Sequence, residues 1–302
     1  MSLWIRQNVL FLIIGAALCV LVVVNGIDFF REKQNQSAIW YVEKGLKDHW
    51  ARTLREAEPP EIFREIRVWD GDTIPEGPGI LITTNLRQIR ENVTVYYRLS
   101  YDLQYEEAMV LAVDPWMVFR KHTDPELTAD RIFSETGGNG VLLIPGKDPA
   151  AVQAWTARLK DNEPFDTNIF PEGAQTYNWQ DVFYRLMGSE TAWVYAPLSA
   201  IRRYPNFRKS ILVAAPFPEQ GTNVRSLQAT LLWAIPLGSP EEQEKMGKTI
   251  AWLKKPETQT VIADNLDWIP ADPYGKPYDP VSLASHRNWL TATYIYEVSD
   301  NQ

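Results

Sequence analysis

The side chains that could act in catalysis are scattered along the chain and form no recognised motif. The three histidines, His49, His122 and His286, lie far apart, and no HxxxH or HExxH spacing joins any two of them. Such spacings place two imidazole rings on one side of a zinc ion. Asp70 and Asp72, in the segment WDGD, could bind a cation, but a turn with solvated carboxylates is the simpler interpretation. We therefore predict no metal site.

Nucleophilic and phosphate-binding motifs are missing from the sequence as well. It contains no G-x-S-x-G segment, which argues against an α/β-hydrolase. The segment GGNG at residues 137–140 lacks the Lys-Ser/Thr pair of a P-loop, so we interpret it as a helix end that leads into a strand. Carboxylates are plentiful, and an acid/base pair formed by distant residues stays open. The prediction is a protein that is not an enzyme, with no catalytic residue and no cofactor.

Aromatic rings and arginine side chains offer a different chemistry, the stacking and hydrogen bonding that hold a small polar ligand. The chain has 12 Trp, a high count that a large core mostly explains. The residues best placed to line a ligand cleft are Trp116, Trp193, Tyr195, Arg202 and Trp268. For each ring the alternative is a position in the core. For Arg202, which precedes Arg203, the alternative is a solvated surface pair.

Strand patterns recur along the chain and supply the sheets that would position these side chains. Residues 62–70, IFREIRVWD, alternate in polarity and predict a strand. GILITTN and GVLLIPG predict buried strands, and SILVAAPFP and LQATLLWAIP predict two more nearer the C-terminus. The segment EEAMVLAVDPWMVFRK predicts a strand that Pro115 breaks, because proline lacks a backbone donor.

Helix patterns lie between these strands and begin at clear capping residues. Asp148 precedes a proline and predicts the start of a helix in DPAAVQAWTARLKD, and NWQDVFYRLMGS predicts a second helix. Ser239, with Glu242 three residues later, predicts a capping box that opens one helix over SPEEQEKMGKTIAWLKK. A final helix is predicted over residues 281–296. Alternating strands and helices predict an α/β fold whose sheets are covered by helices.

The N-terminus carries an apolar run, residues 9–27, that contains no charged residue. A bilayer core requires about 20 apolar residues in a helix, so we predict an uncleaved membrane anchor. A cleaved signal peptide is an alternative, although no small-x-small site ends the run cleanly. A lipoprotein is another, although Leu18 rather than a small residue precedes Cys19.

Residues 37–58 place Ile39, Val42, Leu46 and Trp50 at spacings of three and four. This periodicity predicts an amphipathic helix that ends at two prolines and leads out of the membrane as a stalk. Its apolar stripe could pack on the following domain, or pair with a second copy or another membrane protein.

Composition and charge limit the classes of partner. The hydrophobic fraction of 45% and the charged fraction of 23% are typical of a globular protein rather than a disordered one. The net charge is −8 and no basic stripe is present, so we predict no nucleic-acid partner. The single cysteine excludes a disulfide within the chain.

The order of elements in the last third is more specific than any single motif. A strand ends in a small-residue proline loop, ILVAAPFPEQG, and is followed by LQATLLWAIPLGS, by the capped helix, by PETQTVIADNL and by DWIPA. This order resembles the C-terminal half of bacterial extracellular solute-binding proteins of the maltose-binding type. Upstream, MGSETAWVYAPLSAIRRY resembles a ligand-facing strand and loop of that family, and IRVWDGD resembles its opening strand.

The resemblance implies a periplasmic-binding-protein-like fold of two α/β lobes, joined by a hinge, with a ligand in the cleft. It also implies the capture of a sugar or a similar polar solute for an ABC importer, whose permease would be the membrane partner. The predicted organisation is a cytoplasmic tip and transmembrane anchor at residues 1–28, a stalk helix at 29–58 and the solute-binding-like domain at 59–302. The protein would be a single-pass protein of the bacterial inner membrane, with its soluble domain in the periplasm or outside.

Three features depart from the family. The soluble part is short, with a trimmed first lobe, and a transmembrane anchor replaces a lipid anchor. The turn that often carries Gly-Pro-Trp in the family reads Ala196-Pro197-Leu198 here, which removes one ring that stacks on sugars. These departures favour an alternative function, in which the fold has lost ligand binding and acts as a structural subunit of a membrane or envelope complex.

Overall fold

The computed structural model describes residues 38–60, 63–71, 73–85, 96–97, 104–105, 108–123, 142–159, 170–188, 192–203, 211–217, 226–292 and 294–297. The apolar run at 9–27, Asp72 and the GGNG segment lie outside these ranges. Within them, no helix is long and apolar enough to cross a membrane.

The described residues form strands and helices in alternation. The strands are β1 (Ala38–Glu43), β2 (Phe63–Trp69), β3 (Gly79–Thr83), β4 (Tyr96–Tyr97), β5 (Gln104–Tyr105), β6 (Ala108–Lys121), β7 (Leu142–Leu143), β8 (Trp193–Pro197), β9 (Leu212–Ala215), β10 (Ser226–Leu237), β11 (Ile269–Pro270) and β12 (Tyr294–Glu297). The helices are α1 (Lys47–Glu56), α2 (Pro149–Leu159), α3 (Trp179–Gly188), α4 (Leu198–Arg203), α5 (Pro240–Lys245), α6 (Gly247–Leu253), α7 (Pro256–Leu266) and α8 (Pro280–Thr291). Short 3₁₀ helices cover Lys44–Leu46 and Ala174–Thr176.

The strands form one connected ladder that divides into two sheets at β6. Sheet A contains the order β2-β1-β3-β10-β6, with β1, β2 and β3 parallel to one another and β10 antiparallel to both β3 and β6. Sheet B contains the second half of β6, paired with β8 and β9, and β7 parallel to β8. This arrangement agrees with the predicted α/β class.

Strand β6 crosses from one sheet to the other without interruption, so the predicted break at Pro115 is wrong. Pro115 lies opposite Ala229 at the last pair between β6 and β10, and Trp116 lies opposite Pro197 at the first pair with β8. A proline lacks the N–H that a central strand donates to its neighbour. Because Pro115 lies where β6 changes its partner from β10 to β8, the missing N–H removes little hydrogen bonding from either sheet.

The N-terminal part of the predicted stalk helix is also wrong. Residues Ala38–Glu43 form β1, which lies between β2 and β3, and the α-helix begins only at Lys47, after the short 3₁₀ helix. Trp40 and Val42 are fully buried, and Tyr41 is buried on the opposite face of the sheet. A strand buried on both faces is a continuous apolar run that periodicity does not distinguish from a helix. The folded domain therefore includes residue 38 rather than starting at 59, and residues 29–37 lie outside the described ranges.

The other helices follow their capping signals, with two corrections. Asp148 accepts the N–H groups of Ala150 and Ala151 at the start of α2, and Ser239 and Glu242 form the predicted capping box. The single helix predicted after Ser239 is divided at Met246 into α5 and α6. The final helix ends at Thr291, before strand β12, rather than at residue 296.

Two aromatic-rich hydrophobic clusters stabilise the fold. One packs helices α1, α6 and α7 on one face of sheet A, where the Trp40 ring lies 5.1 Å from that of Trp50. The other covers the opposite face of sheet A and continues into sheet B, where the Trp155 ring lies 4.9 Å from that of Phe170. Because the second cluster spans both sheets, they share a core at their junction.

Candidate functional site

The carboxyl ends of the parallel strands in sheet A point toward the junction with sheet B. Thr83, at the end of β3, lies opposite Trp233 of β10, which in turn pairs with Val110 of β6. Beyond this level β6 and β10 run on together to Pro115 and Ala229. The end of β1 lies beside that of β3, so both strands finish on the side that faces sheet B.

The parallel strands of sheet B finish on the side that faces sheet A. Strand β8 ends at Pro197, opposite Trp116, which is the residue of sheet B nearest the point where β6 leaves sheet A. In open α/β sheets, ligands bind outside the carboxyl ends of strands. The candidate site is therefore the place in the fold where these two sets of strand ends face each other, and we call it the crossing region. We define it by Glu43, Thr83, Thr84, Asp114 and Ser199.

Glu43 holds a cluster of polar groups at the sheet A side of the crossing region. Its Oε2 accepts the hydroxyl of Thr83 at 2.8 Å and the backbone N–H of Thr84 at 2.6 Å, and the Thr84 hydroxyl donates to the same carboxylate at 3.0 Å. Thr83 is fully buried, whereas Glu43 and Thr84 are half-buried. Because Oε2 receives most of these bonds, Oε1 keeps acceptor capacity for hydroxyl or ammonium groups of a ligand.

Asp114 lies on β6 at the crossing itself and is 5% exposed. Its Oδ1 accepts the backbone N–H of Ser199 at 2.9 Å, and its Oδ2 accepts the Ser199 hydroxyl. Burial raises the pKa of the Asp114 carboxyl to about 6, and the bonds from Ser199 and the nearby Arg203 charge oppose that rise. Asp114 therefore joins the shared strand to the first turn of α4.

Three of the predicted binding rings lie in the core of sheet B. Trp116, Trp193 and Tyr195 are 3%, 1% and 0% exposed, and the Tyr195 hydroxyl donates to the Gln228 side chain, which itself donates to the Ala154 carbonyl at 2.8 Å. Their burial supports the core alternative, and their roles in ligand binding stay predictions. The indole N–H of Trp116 is buried and has no acceptor among the described residues.

The other two predicted residues meet each other in a contact between elements. Trp268 is 7% exposed and packs in the cluster under α1 and α7, which supports the core alternative for this ring. Arg202 donates to the Trp268 carbonyl at 2.8 Å and to Asp264 at 3.3 Å, and its side chain is 9% exposed. The alternative of a solvated pair is thus wrong for Arg202, which is paired and largely buried, and its role in ligand binding stays a prediction.

Sequence reasoning missed the polar residues of the crossing region. The pattern of residues 38–43 predicts helix, which gives Glu43 no special position. As a strand, AIWYVE places Glu43 at its carboxyl end, just as GILITT places two threonines at the end of the neighbouring strand. Asp114 stands directly before the proline of a long buried strand, where an acidic residue is unusual. No local signal pairs it with Ser199, which is 85 residues away. Within the described ranges, no group of His, Cys, Asp and Glu side chains could hold a metal ion.

Similarity to known proteins is visible in structure rather than in sequence. No protein-family model matches the chain, and no curated protein sequence matches it significantly. The apo form of RafE from Streptococcus pneumoniae superposes with a TM-score of 0.57 at 11% identity, over 87% of this chain and 88% of RafE. A family 1 extracellular solute-binding protein from Bifidobacterium longum superposes with a TM-score of 0.58 at 9% identity, over 86% and 89%.

The chain has the fold of the extracellular solute-binding proteins. The alignments cover most of each neighbour, and the trimmed first lobe stays a prediction. Neighbours with this fold hold different ligands: RafE has been solved with raffinose, and a Trichodesmium protein (IdiA, FutA) with iron and citrate, at a TM-score of 0.52 and 12% identity. The fold by itself therefore does not determine the ligand.

Proposed function

We propose that this chain is a membrane-anchored solute-binding protein that captures a sugar or a similar polar solute in the crossing region. Residues 9–27 would anchor it in the inner membrane, with the folded part in the periplasm or outside, and an ABC importer's permease would be its partner. The observation that supports this most is that the carboxyl ends of strands from both sheets converge on one region. There the carboxylate of Glu43 is fixed by hydrogen bonds from Thr83 and Thr84.

The polar groups of the crossing region indicate the class of solute. Glu43 provides an acceptor for ligand hydroxyl or ammonium groups. Buried hydrogen bonds to a charged group are worth more than neutral ones, about 1.5–3 kcal/mol each. We therefore propose that recognition depends on hydrogen bonds to Glu43 rather than on the faces of Trp193, Tyr195 and Trp268, which are covered by core packing.

A thermal-shift panel on the full-length chain tests the proposed function. The probes are raffinose, maltose, ferric citrate and a set of amino acids, and a solute that binds the folded state raises the melting temperature by mass action. At about 100 times its dissociation constant, a ligand adds about 2.7 kcal/mol to the free energy of unfolding. The expected result is a rise with at least one polar solute, which Glu43→Gln reduces and Glu244→Gln, on the exposed face of α5, preserves.

The second candidate function is a scaffold that has lost ligand binding and serves as a structural subunit of an envelope complex. The burial of all four predicted binding rings is the specific observation that favours it. No shift across the panel, together with co-purification of other inner-membrane proteins, would support the scaffold and contradict solute capture.

A further inference from the structure

Helix α4 lies at the crossing and is held at its N-terminal end. It follows β8 of sheet B directly, so it moves with that sheet. Ser199, in its first turn, donates both its backbone N–H and its hydroxyl to Asp114, which belongs to the strand that the two sheets share. The first turn of α4 is thus bound to β6, the strand that the two sheets share, rather than to water.

The C-terminal end of α4 is held by a second set of contacts, made by Arg202 to the part of the chain that covers sheet A. Arg202 donates to the carbonyl of Trp268 at 2.8 Å, directly after α7, and to the carboxylate of Asp264 at 3.3 Å. Its guanidinium also lies 3.9 Å from Asp267, at the end of α7. A further carboxylate, that of Asp279 at 3.6 Å, caps helix α8, which packs mainly on β9 of sheet B. The low exposure of Arg202, 9%, shields these ion pairs from solvent.

Arg203 adds a parallel contact on the more exposed side. It donates to the carbonyl of Leu266 at 3.3 Å and pairs with Asp267 at 3.5 Å. Helix α7 ends here, so its last carbonyl groups and its dipole attract both guanidinium groups. Asp267 has a φ of 62°, a left-handed conformation in which glycine or asparagine is usual. Its carboxylate contacts both arginines, which gives a reason for Asp at this position.

We infer that α4 fixes the angle between the two sheets, with Arg202 and Arg203 bound to Asp264 and Asp267 at its C-terminal end. We call these four residues the clasp. A change of angle moves α4 with sheet B away from α7 on sheet A, and it must break the clasp or the bond to Asp114. The inference does not depend on ligand binding, because every contact that carries it lies within the chain.

The test is a distance measurement between the sheets in the full-length protein without ligand. Spin labels are placed at Gln153 on α2 and Lys245 on α5, both exposed, in a Cys19→Ser background. Double electron–electron resonance should give one narrow distribution for the otherwise unchanged chain. The double substitution Arg202→Gln and Arg203→Gln should broaden that distribution or shift its mean, because it removes the cations from both contacts.

A matched control and a milder variant complete the test. Arg67→Gln breaks the ion pair with Glu65 within β2, which does not connect the sheets, and should leave the distribution unchanged. Asparagine suits the left-handed backbone conformation at position 267, and Asp267→Asn removes the carboxylate that both arginines contact. This variant should therefore broaden the distribution, but less than the double substitution does. It also serves where the double variant fails to fold. Distributions that superpose on the parent for folded arginine variants, or for Asp267→Asn, would overturn the inference.

Discussion

At the scale of single residues, Asp114 is the group whose environment is most perturbed. Its folded-state pKa of about 6 lies above the ordinary value of 3.8, because burial disfavours the charged carboxylate. The folded state therefore holds its proton to higher pH than the unfolded state, and the contribution of Asp114 to stability falls as pH rises from about 4 to about 6. The shift corresponds to roughly 3 kcal/mol, at 1.36 kcal/mol for each pKa unit.

Asp114→Asn should remove this pH dependence while keeping the contact with Ser199, because the amide can accept the N–H and donate to the hydroxyl. The variant should gain up to roughly 3 kcal/mol over the parent between about pH 4 and pH 6.5. Denaturant unfolding at several pH values measures the difference. Asp48→Asn, an exposed acid on α1, is the control. A difference between variant and parent that does not change with pH would contradict the assigned burial of this charge.

Glu43 should contribute to stability as well as to binding. Glu43→Ala leaves the buried hydroxyl of Thr83 and the N–H of Thr84 without their acceptor, and a buried unsatisfied donor costs about 1–3 kcal/mol. Glu43→Gln keeps one acceptor oxygen and should cost less. The free energy of unfolding, measured beside Glu244→Ala, distinguishes these cases. Equal stability of Glu43→Ala and the parent would show that the threonine contacts are not formed in solution.

At the scale of elements, we expect the ion pairs between α7 and α4 to make a contribution to stability that depends on salt concentration. Asp267 is about one-third exposed, and ion pairs of this kind are worth up to about 1 kcal/mol. Asp267→Asn should therefore lower the unfolding free energy by up to that amount at low ionic strength. The loss should shrink at about 1 M salt, where the screening length is about 3 Å. A loss that is the same at both salt concentrations would point to a cause other than charge.

Elements with a local start signal could be predicted from the sequence, and those defined by their neighbours could not. Asp148 and the Ser239–Glu242 capping box mark helix starts because the bonds that form them span only two or three residues. The sequence of β1 predicts helix rather than strand because both faces of β1 are buried, which leaves no alternation in the sequence. The sequence predicts a break at Pro115 because the change of partner along β6 depends on β10 and β8, which follow much later in the chain.

At the scale of the whole molecule, the order of elements in the last third predicts the fold that is observed, whereas the roles of the five predicted site residues in ligand binding stay predictions. Fold follows from the sequence of buried strands and capped helices, which tolerates the replacement of most side chains, as the 9–12% identity to its neighbours shows. A site depends on a few side chains that are far apart in the sequence and that the fold brings together. The contact of Arg202 with Trp268 joins residues 66 positions apart, and no local pattern encodes it.

The central claim is that a polar solute binds in the crossing region through Glu43. Its most direct test is isothermal titration calorimetry of the full-length chain with whichever solute of the panel (raffinose, maltose, ferric citrate or an amino acid) raises the melting temperature most. The predicted result is one-site binding to the parent and to Glu244→Gln, with affinity at least about tenfold weaker in Glu43→Gln, a loss of about 1.4 kcal/mol. Binding of equal strength to Glu43→Gln and the parent, or no binding by any of these solutes, would contradict the claim.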